Sequence, residues 1–184
     1  MKIVFFVEGK SEKEMLNGLL PSIGVSNFQV VPFEGKQDLE KQLPIKLRGW
    51  LEPETKFLVL RDQDRGDCKE VKERLKKICE ENGQKDAVVR IACRELESWY
   101  LGDLLAVENA LVIPKLSDKQ NGKKYRTPDK LANASEELIK LTNNKYQKVK
   151  GSRLIGKFLG VNENKSHSFN VFVESVKRIQ GNNS

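Results

Sequence analysis

Four short apolar runs, spaced along the first half of the chain, constrain the fold more than any other feature. They are Lys2–Val7 (KIVFFV), Phe28–Pro32 (FQVVP), Phe57–Arg61 (FLVLR) and Ala87–Cys93 (AVVRIAC). Runs that are continuously apolar and rich in β-branched and aromatic residues predict strands covered on both faces. Each pair of runs is separated by a segment with helical spacing. Ser11 and Glu14 have the spacing of a capping box, which predicts a helix starting at Glu12, with Met15, Leu16, Leu19 and Leu20 inward and Pro21 as its stop. Leu39, Leu43 and Leu47 give a second helix over 37–47, with Pro44 as a kink or break. Asp67 and Glu70 cap a third, whose buried positions are Val71, Leu75, Ile78 and Cys79 and which ends at Gly83. Strand and helix alternating through short connections predict a parallel sheet with right-handed crossovers.

The second half is less regular. RELESWYLGD, residues 94–103, predicts a helix with Leu96, Trp99, Tyr100 and Leu104 as apolar positions. Residues 117–127 are polar and basic and read as a loop. Thr127-Pro128 predicts a helix over Asp129–Thr142. Lys150-Gly151-Ser152 reads as a separator before a short helix over Arg153–Leu159, and Ser168 as the cap of a last helix with Phe169, Phe172, Val173, Val176 and Ile179 inward. The tail GNNS reads as disordered. The expected architecture is α/β: a sheet of about four parallel strands flanked by helices in residues 1–110, and a mainly helical, basic extension packed on it in residues 111–184.

Composition narrows the class of function. A hydrophobic content of 38% and no apolar stretch near 18 residues predict a soluble chain and no membrane partner. The apolar start ends at Glu8, too soon for a signal peptide. Three cysteines without a CxxC pair argue against zinc and a disulfide framework and for a reducing cytoplasm. A single histidine, His167, leaves only oxygen ligands for any metal, which favours magnesium or manganese. GxxxxGK[ST] and GxGxxG are absent, as is any nucleophile elbow, so ATPase, dinucleotide and Ser-His-Asp chemistries are disfavoured. Of the net charge of +7, the stretch 115–157 carries twelve Lys or Arg against four Asp or Glu. Such a concentration points to a polyanion, with a solvated lysine-rich surface as the alternative.

The chemistry sits at the ends of the predicted strands. Glu8 follows the first, and Asp62 and Asp64 follow the third, where open parallel sheets place their ligands. Two residues apart on an extended chain, Asp62 and Asp64 leave the same face and repel unless a cation lies between them. The competing reading makes these acids turn residues and a helix cap. Glu95 and Glu97 open the helix after the fourth strand. The helix dipole alone would favour them there, and Glu97 is the better candidate for an extra metal ligand.

VEGKSE at residues 7–12 and LRDQD at residues 60–64 resemble the two signatures of the TOPRIM domain of topoisomerases, DnaG-type primases, recombination proteins and OLD-family nucleases. The glutamate-glycine after the first strand and the Asp-x-Asp after the third agree in type, order and strand context. RELESWYLGD further resembles small bacterial TOPRIM-like proteins catalogued only as a domain of unknown function, and KSHSF at residues 165–169 extends that likeness. The resemblance is best over residues 1–105.

The resemblance implies a TOPRIM-like, Rossmann-like fold and phosphodiester chemistry on DNA or RNA. Asp62 and Asp64 would hold a magnesium or manganese ion with Glu8 and Glu97, and Glu8 would assist proton transfer. Lys10, Lys123, Lys124, Arg126, Lys148, Lys150 and Arg153 would hold the nucleic-acid backbone. The chain lacks room for the accessory domains of a topoisomerase, so a nuclease, in a bacterial defence or mobile-element setting, is expected. The alternative expectation is a non-catalytic nucleic-acid-binding subunit that works with a separately encoded ATPase.

Overall fold

The computed structural model describes residues 1–181. The chain alternates as expected: β1 (Lys2–Val7), α1 (Lys10–Ser22), β2 (Phe28–Pro32), α2 (Lys36–Arg48), β3 (Thr55–Asp62), α3 (Cys68–Glu81) and β4 (Val88–Ala92). Five helices follow: α4 (Glu97–Leu101), α5 (Leu104–Leu111), α6 (Ala134–Leu141), α7 (Lys148–Gly156) and α8 (His167–Ile179). The four strands form one all-parallel sheet in the order β2-β1-β3-β4. Among the described residues no helix is long and apolar enough to cross a membrane.

The period-2 alternation of the strands sorts the core into two clusters, one per face. Ile3, Phe5 and Val7 of β1 and Leu58 and Leu60 of β3 pack with Met15, Leu16, Leu19 and Leu20 of α1 and with the C-terminal helices. Val4 and Phe6 of β1 and Phe57 and Val59 of β3 pack with Leu39, Leu43 and Leu47 of α2 and Val71, Leu75 and Cys79 of α3. The first cluster runs without interruption across residue 110. Phe172 of α8 reaches Phe5 of β1 with ring centroids 6.4 Å apart, and Trp99 of α4 lies against Phe169 and Phe172 at 5.3 and 5.1 Å. The indole N–H of Trp99 donates to Ser168 Oγ at 2.9 Å, so the tryptophan of the 94–103 segment anchors α8.

Several local expectations are overturned. α1 starts at Lys10, and Ser11 does not cap it; Glu14 reaches out to Arg153 at 2.6 Å instead of back to the helix start. Pro21 lies inside the last turn of α1 and Pro44 inside α2, where neither ends the helix. The helix expected over Asp129–Thr142 is a single 3-10 turn, Pro128–Lys130, followed by the shorter α6. Tertiary bonds decide this. Asp129 accepts from Ser166 Oγ at 2.6 Å and from the Ser168 amide at 2.8 Å, which ties the turn to the start of α8. Ser166, not Ser168, caps α8.

The Lys150-Gly151-Ser152 separator is instead the middle of α7. Its glycines serve close approach. A Cβ on Gly18 of α1 would lie 2.8 Å from the Gly156 carbonyl carbon, and one on Gly156 would fall against the Met15 carbonyl. α1 and α7 therefore cross backbone to backbone. The sequence of the tail, GNNS, falls outside the described residues beyond Gly181.

Candidate active site

β1 and β3 are neighbours in the sheet, with Val7 level with Leu60, so Glu8 and Asp62 emerge together at the carboxyl rim. Asp62 is the last residue of β3 and continues the face of Leu58 and Leu60, which looks toward α1 and the C-terminal helices. There it meets Glu12 in the first turn of α1 and Glu97 at the start of α4. The Asp62 carboxyl is held well above the usual range, first by burial and then by the charges of Glu12, Glu97 and Glu8, despite the Leu96 amide hydrogen bond that opposes the shift. Glu12 is pushed up to about 7, chiefly by burial and secondarily by Glu8 and Glu97. Glu8 is raised by burial and then by Asp64, against the pull of the Arg61 guanidinium. Asp62 is half-buried as a residue, yet its Oδ1 is out of solvent and has no hydrogen-bond partner, and the same is true of Glu8 Oε2. Buried carboxylate oxygens are ordinarily satisfied, so these two are exceptions; Glu8 Oε2 has Arg61 Nε 3.8 Å away, whereas Asp62 takes part in no ion pair among the described residues.

Glu97 is only 3% exposed. It accepts from the Tyr146 hydroxyl at 3.0 Å and lies 3.8 Å from Lys148 Nζ on α7. Its neighbour Glu95 has the separate task of capping α6, by accepting from the Ser135 amide at 2.8 Å.

Asp64 does not share the Asp62 face. The chain leaves the strand after Asp62, and Asp64 adopts a left-handed φ of 55°. That turn carries its carboxylate to Lys36 of α2, 2.9 Å away, on the other side of the sheet. The two-residue spacing places both acids on one face only while the backbone stays extended, and here it does not.

The expected basic contacts are dispersed. Lys10 is exposed at the start of α1, and Lys123, Lys124 and Arg126 are exposed in the loop before the 3-10 turn, with Lys124 paired to Glu137. Lys150 is exposed on α7, Arg153 is paired with Glu14, and Lys148 alone of the set reaches the acid cluster.

The donor set is oxygen only, and its orphaned atoms suit a hard divalent cation such as magnesium or manganese. Among the described residues no three His, Cys, Asp or Glu side chains stand ready to hold a metal as they are, so the carboxylates would have to close around one.

Residues 7–177 match the family DUF4276, described as a domain of unknown function. The chain belongs to the DUF4276 family. No curated protein and no solved structure matches it. The DUF4276 match begins one residue before Glu8 and ends within α8, so it takes in the carboxylates of the rim together with Tyr146 and Lys148. Glu12 and Tyr146 belong to this candidate site and were not expected there from the sequence. Glu12 stands four residues after Glu8 in VEGKSE and in the first turn of α1, a proximity that could have flagged it. Tyr146 carries no sequence signal; only the packing of α7 on α1 brings its segment to Glu97.

Proposed function

We propose that this DUF4276 protein is a divalent-metal-dependent phosphodiesterase that cleaves nucleic acid. The observation that carries the reading is the group of four carboxylates, Glu8, Glu12, Asp62 and Glu97, at the carboxyl rim of a parallel sheet, with Asp62 Oδ1 buried and without a hydrogen-bond partner and Glu8 Oε2 facing only Arg61 Nε at 3.8 Å. The likeness of VEGKSE and LRDQD to TOPRIM signatures supports it. Magnesium or manganese bound there would offset charge on the reacting phosphoryl group and acidify a water. Asp62 and Glu8 are the residues that would hold the ion, with Glu97 oriented behind them by the Tyr146 hydroxyl. Glu12, with its carboxyl near 7, is suited to hold and release a proton at neutral pH, and Glu8, raised in the same direction, shares that capacity. Asp64, paired with Lys36 on the α2 side, is left out of this ligand set. The exposed lysines and arginines of α7 and the 123–126 loop would hold backbone phosphates without reading bases.

The test is incubation of the purified chain with end-labelled DNA and RNA, with magnesium, with manganese and with chelator. Cleavage that needs the cation and disappears in Asp62→Asn is the expected result. Cation-independent products, or equal activity in the variant, would overturn the reading.

A second reading, a nucleic-acid-binding subunit for a separately encoded ATPase, is favoured by one surface. Leu105 and Phe158, 53% and 50% exposed, flank a cleft of about 550 Å³ beside α5. Binding of labelled nucleic acid without cleavage under all cation conditions would favour it.

A further inference from the structure

A second site lies next to the carboxylates but on the α2–α3 side of the sheet. A cleft of about 650 Å³ is walled by the turn after β3, the first turns of α3, the Arg94-Glu95 turn and the chain leading into α6. Five cationic side chains line it: Lys36, Arg61, Arg65, Arg74 and Arg94. None belongs to the basic stretch 115–157.

Five acids line it as well, Asp64, Asp67, Glu70, Glu95 and Glu136, and three of them have close partners within the chain. Asp64 is paired with Lys36, Asp67 accepts from the amides of Lys69 and Glu70 at the head of α3, and Glu95 accepts from Ser135. Glu40, outside the cleft, holds both Arg61 and Arg74. Glu70 and Glu136 remain, exposed at the rim. Among the described residues neither Arg65 nor Arg94 takes part in an ion pair.

Arg65 and Arg94 are thus the cations of this wall left free for a ligand. Arg61, only 5% exposed, also lines the cleft; its Nε makes no hydrogen bond and faces Glu8 Oε2 rather than open space. Arg94 is held at φ 65°, and its carbonyl accepts from the amide of Asp64, itself at φ 55°, at 2.8 Å. Residues other than glycine rarely occupy that region, and here two of them are locked together so that the Arg94 side chain lines the cleft. Arg61 also joins this site to the first, since its Nε lies 3.8 Å from Glu8 Oε2. Planar guanidinium groups match phosphate oxygens in pairs, which suits the cleft to that anion above others.

We propose that this cleft binds a phosphate of the nucleic-acid strand, next along the backbone from the phosphodiester that faces Glu8 and Asp62, with Arg65 and Arg94 as its principal donors and Arg61 behind them. The inference rests on the phosphodiester reading and names where its substrate is gripped. The phosphate is either a strand's terminal 5′ group or an internal phosphodiester.

The experiment measures binding of fluorescent oligonucleotides bearing a 5′-phosphate or a 5′-hydroxyl to the Asp62→Asn chain, which holds strands without cutting them. The same chain with Arg65→Gln and Arg94→Asn is the comparison. Asn tolerates the left-handed backbone at position 94, and unchanged melting shows that the variant folds. The expected result is at least about tenfold weaker binding in the variant, the order expected when charge-assisted pairs to phosphate are lost. A Lys123→Gln, Lys124→Gln control in the same background is expected to lose less, which separates the cleft from a general loss of charge. Loss confined to the 5′-phosphate strand assigns the terminal group, and equal loss for both strands assigns an internal phosphate. Unchanged affinity overturns the cleft while leaving the cleavage reading standing. Weakened binding in the variant, with no cleavage by the wild-type chain, keeps the cleft and overturns the nuclease. A parent chain that binds neither strand overturns both.

Discussion

The two faces of the sheet carry opposite chemistry, and one register step separates them. On β3, Asp62 points with Leu58 and Leu60 toward α1 and the C-terminal helices, into a pocket of carboxylates. Arg61 points with Phe57 and Val59 toward α2 and α3, where Glu40 holds it at the edge of the arginine cleft. Glu8 sits at the rim between them, its carboxyl raised first by burial and then by Asp64 and lowered by Arg61. Charge repulsion is therefore concentrated on one face and charge pairing on the other. On the proposed reading the face that gathers like charges takes a cation, and the other takes a phosphate through Arg65 and Arg94, which form no ion pair among the described residues.

The largest contrast should appear when Asp62 is neutralised. Asp62→Asn is expected to lower cation-dependent cleavage by about 100-fold or more, as expected when several kcal/mol of metal-derived stabilisation are lost. The same change should raise the melting temperature measured in chelator, because a repelling buried charge is removed. Loss of activity together with loss of stability would break the comparison, since it would make Asp62 a structural residue.

Next comes the joint that closes the acidic face. Gly156→Ala puts a methyl group against the Met15 carbonyl, and backbone cannot give way as a side chain can. Overpacking of this kind costs about 1–3 kcal/mol, which for a chain of this size lowers the melting temperature by roughly 2–12 °C. Thermal unfolding of the variant checks it, and Gly24→Ala, with open space but φ 79°, separates crowding from backbone strain.

The pH dependence is a third test. Glu12 has its carboxyl near 7 in the fold against an ordinary 4.5. Between those values the native chain keeps a proton that the unfolded chain has released, so the Glu12 contribution is full below about 4.5 and declines as pH rises through 7. The span is at most about 3 kcal/mol. Asp62, shifted in the same direction, steepens the decline. Melting in chelator should therefore fall between pH 5 and 8, and Glu12→Gln should flatten that fall. A wild-type slope unchanged by Glu12→Gln would show that Glu12 does not report the acidic face.

The smallest effect is expected on the opposite face. Asp64→Asn removes a half-exposed pair with Lys36 and should change stability by no more than about 1 kcal/mol, in either cation condition. An effect as large as that of Asp62→Asn would erase the distinction between the two aspartates.

How much of this was legible in the sequence follows from the range of each interaction. The four strands and three of their helices were readable because apolar periodicity is local, and Asp67 caps α3 as its spacing predicts. Glu8 and Asp62 were readable because both end strands that must be buried. Asp64 was misplaced because the expectation assumed an extended chain, and its left-handed turn is fixed by a bond to Arg94 across the loop. The 129–142 helix was misread because Asp129 answers to Ser166 and Ser168, thirty-seven and more residues away. Arg65 and Arg94 stayed hidden because each lies in a segment of mixed charge; only the fold sets them across one cleft.

The crossing of α1 and α7 at Gly18 and Gly156 has a consequence for the timing of synthesis. Glu12 leaves the ribosome well before the helix that lies on its own helix, which follows more than a hundred residues later at some 5–20 residues per second. During that interval Glu97 lacks Tyr146 and Lys148, and the carboxylates have no roof. A nascent chain that has reached α4 but not α7 thus holds these acids without the Tyr146 hydroxyl and the Lys148 ammonium beside Glu97.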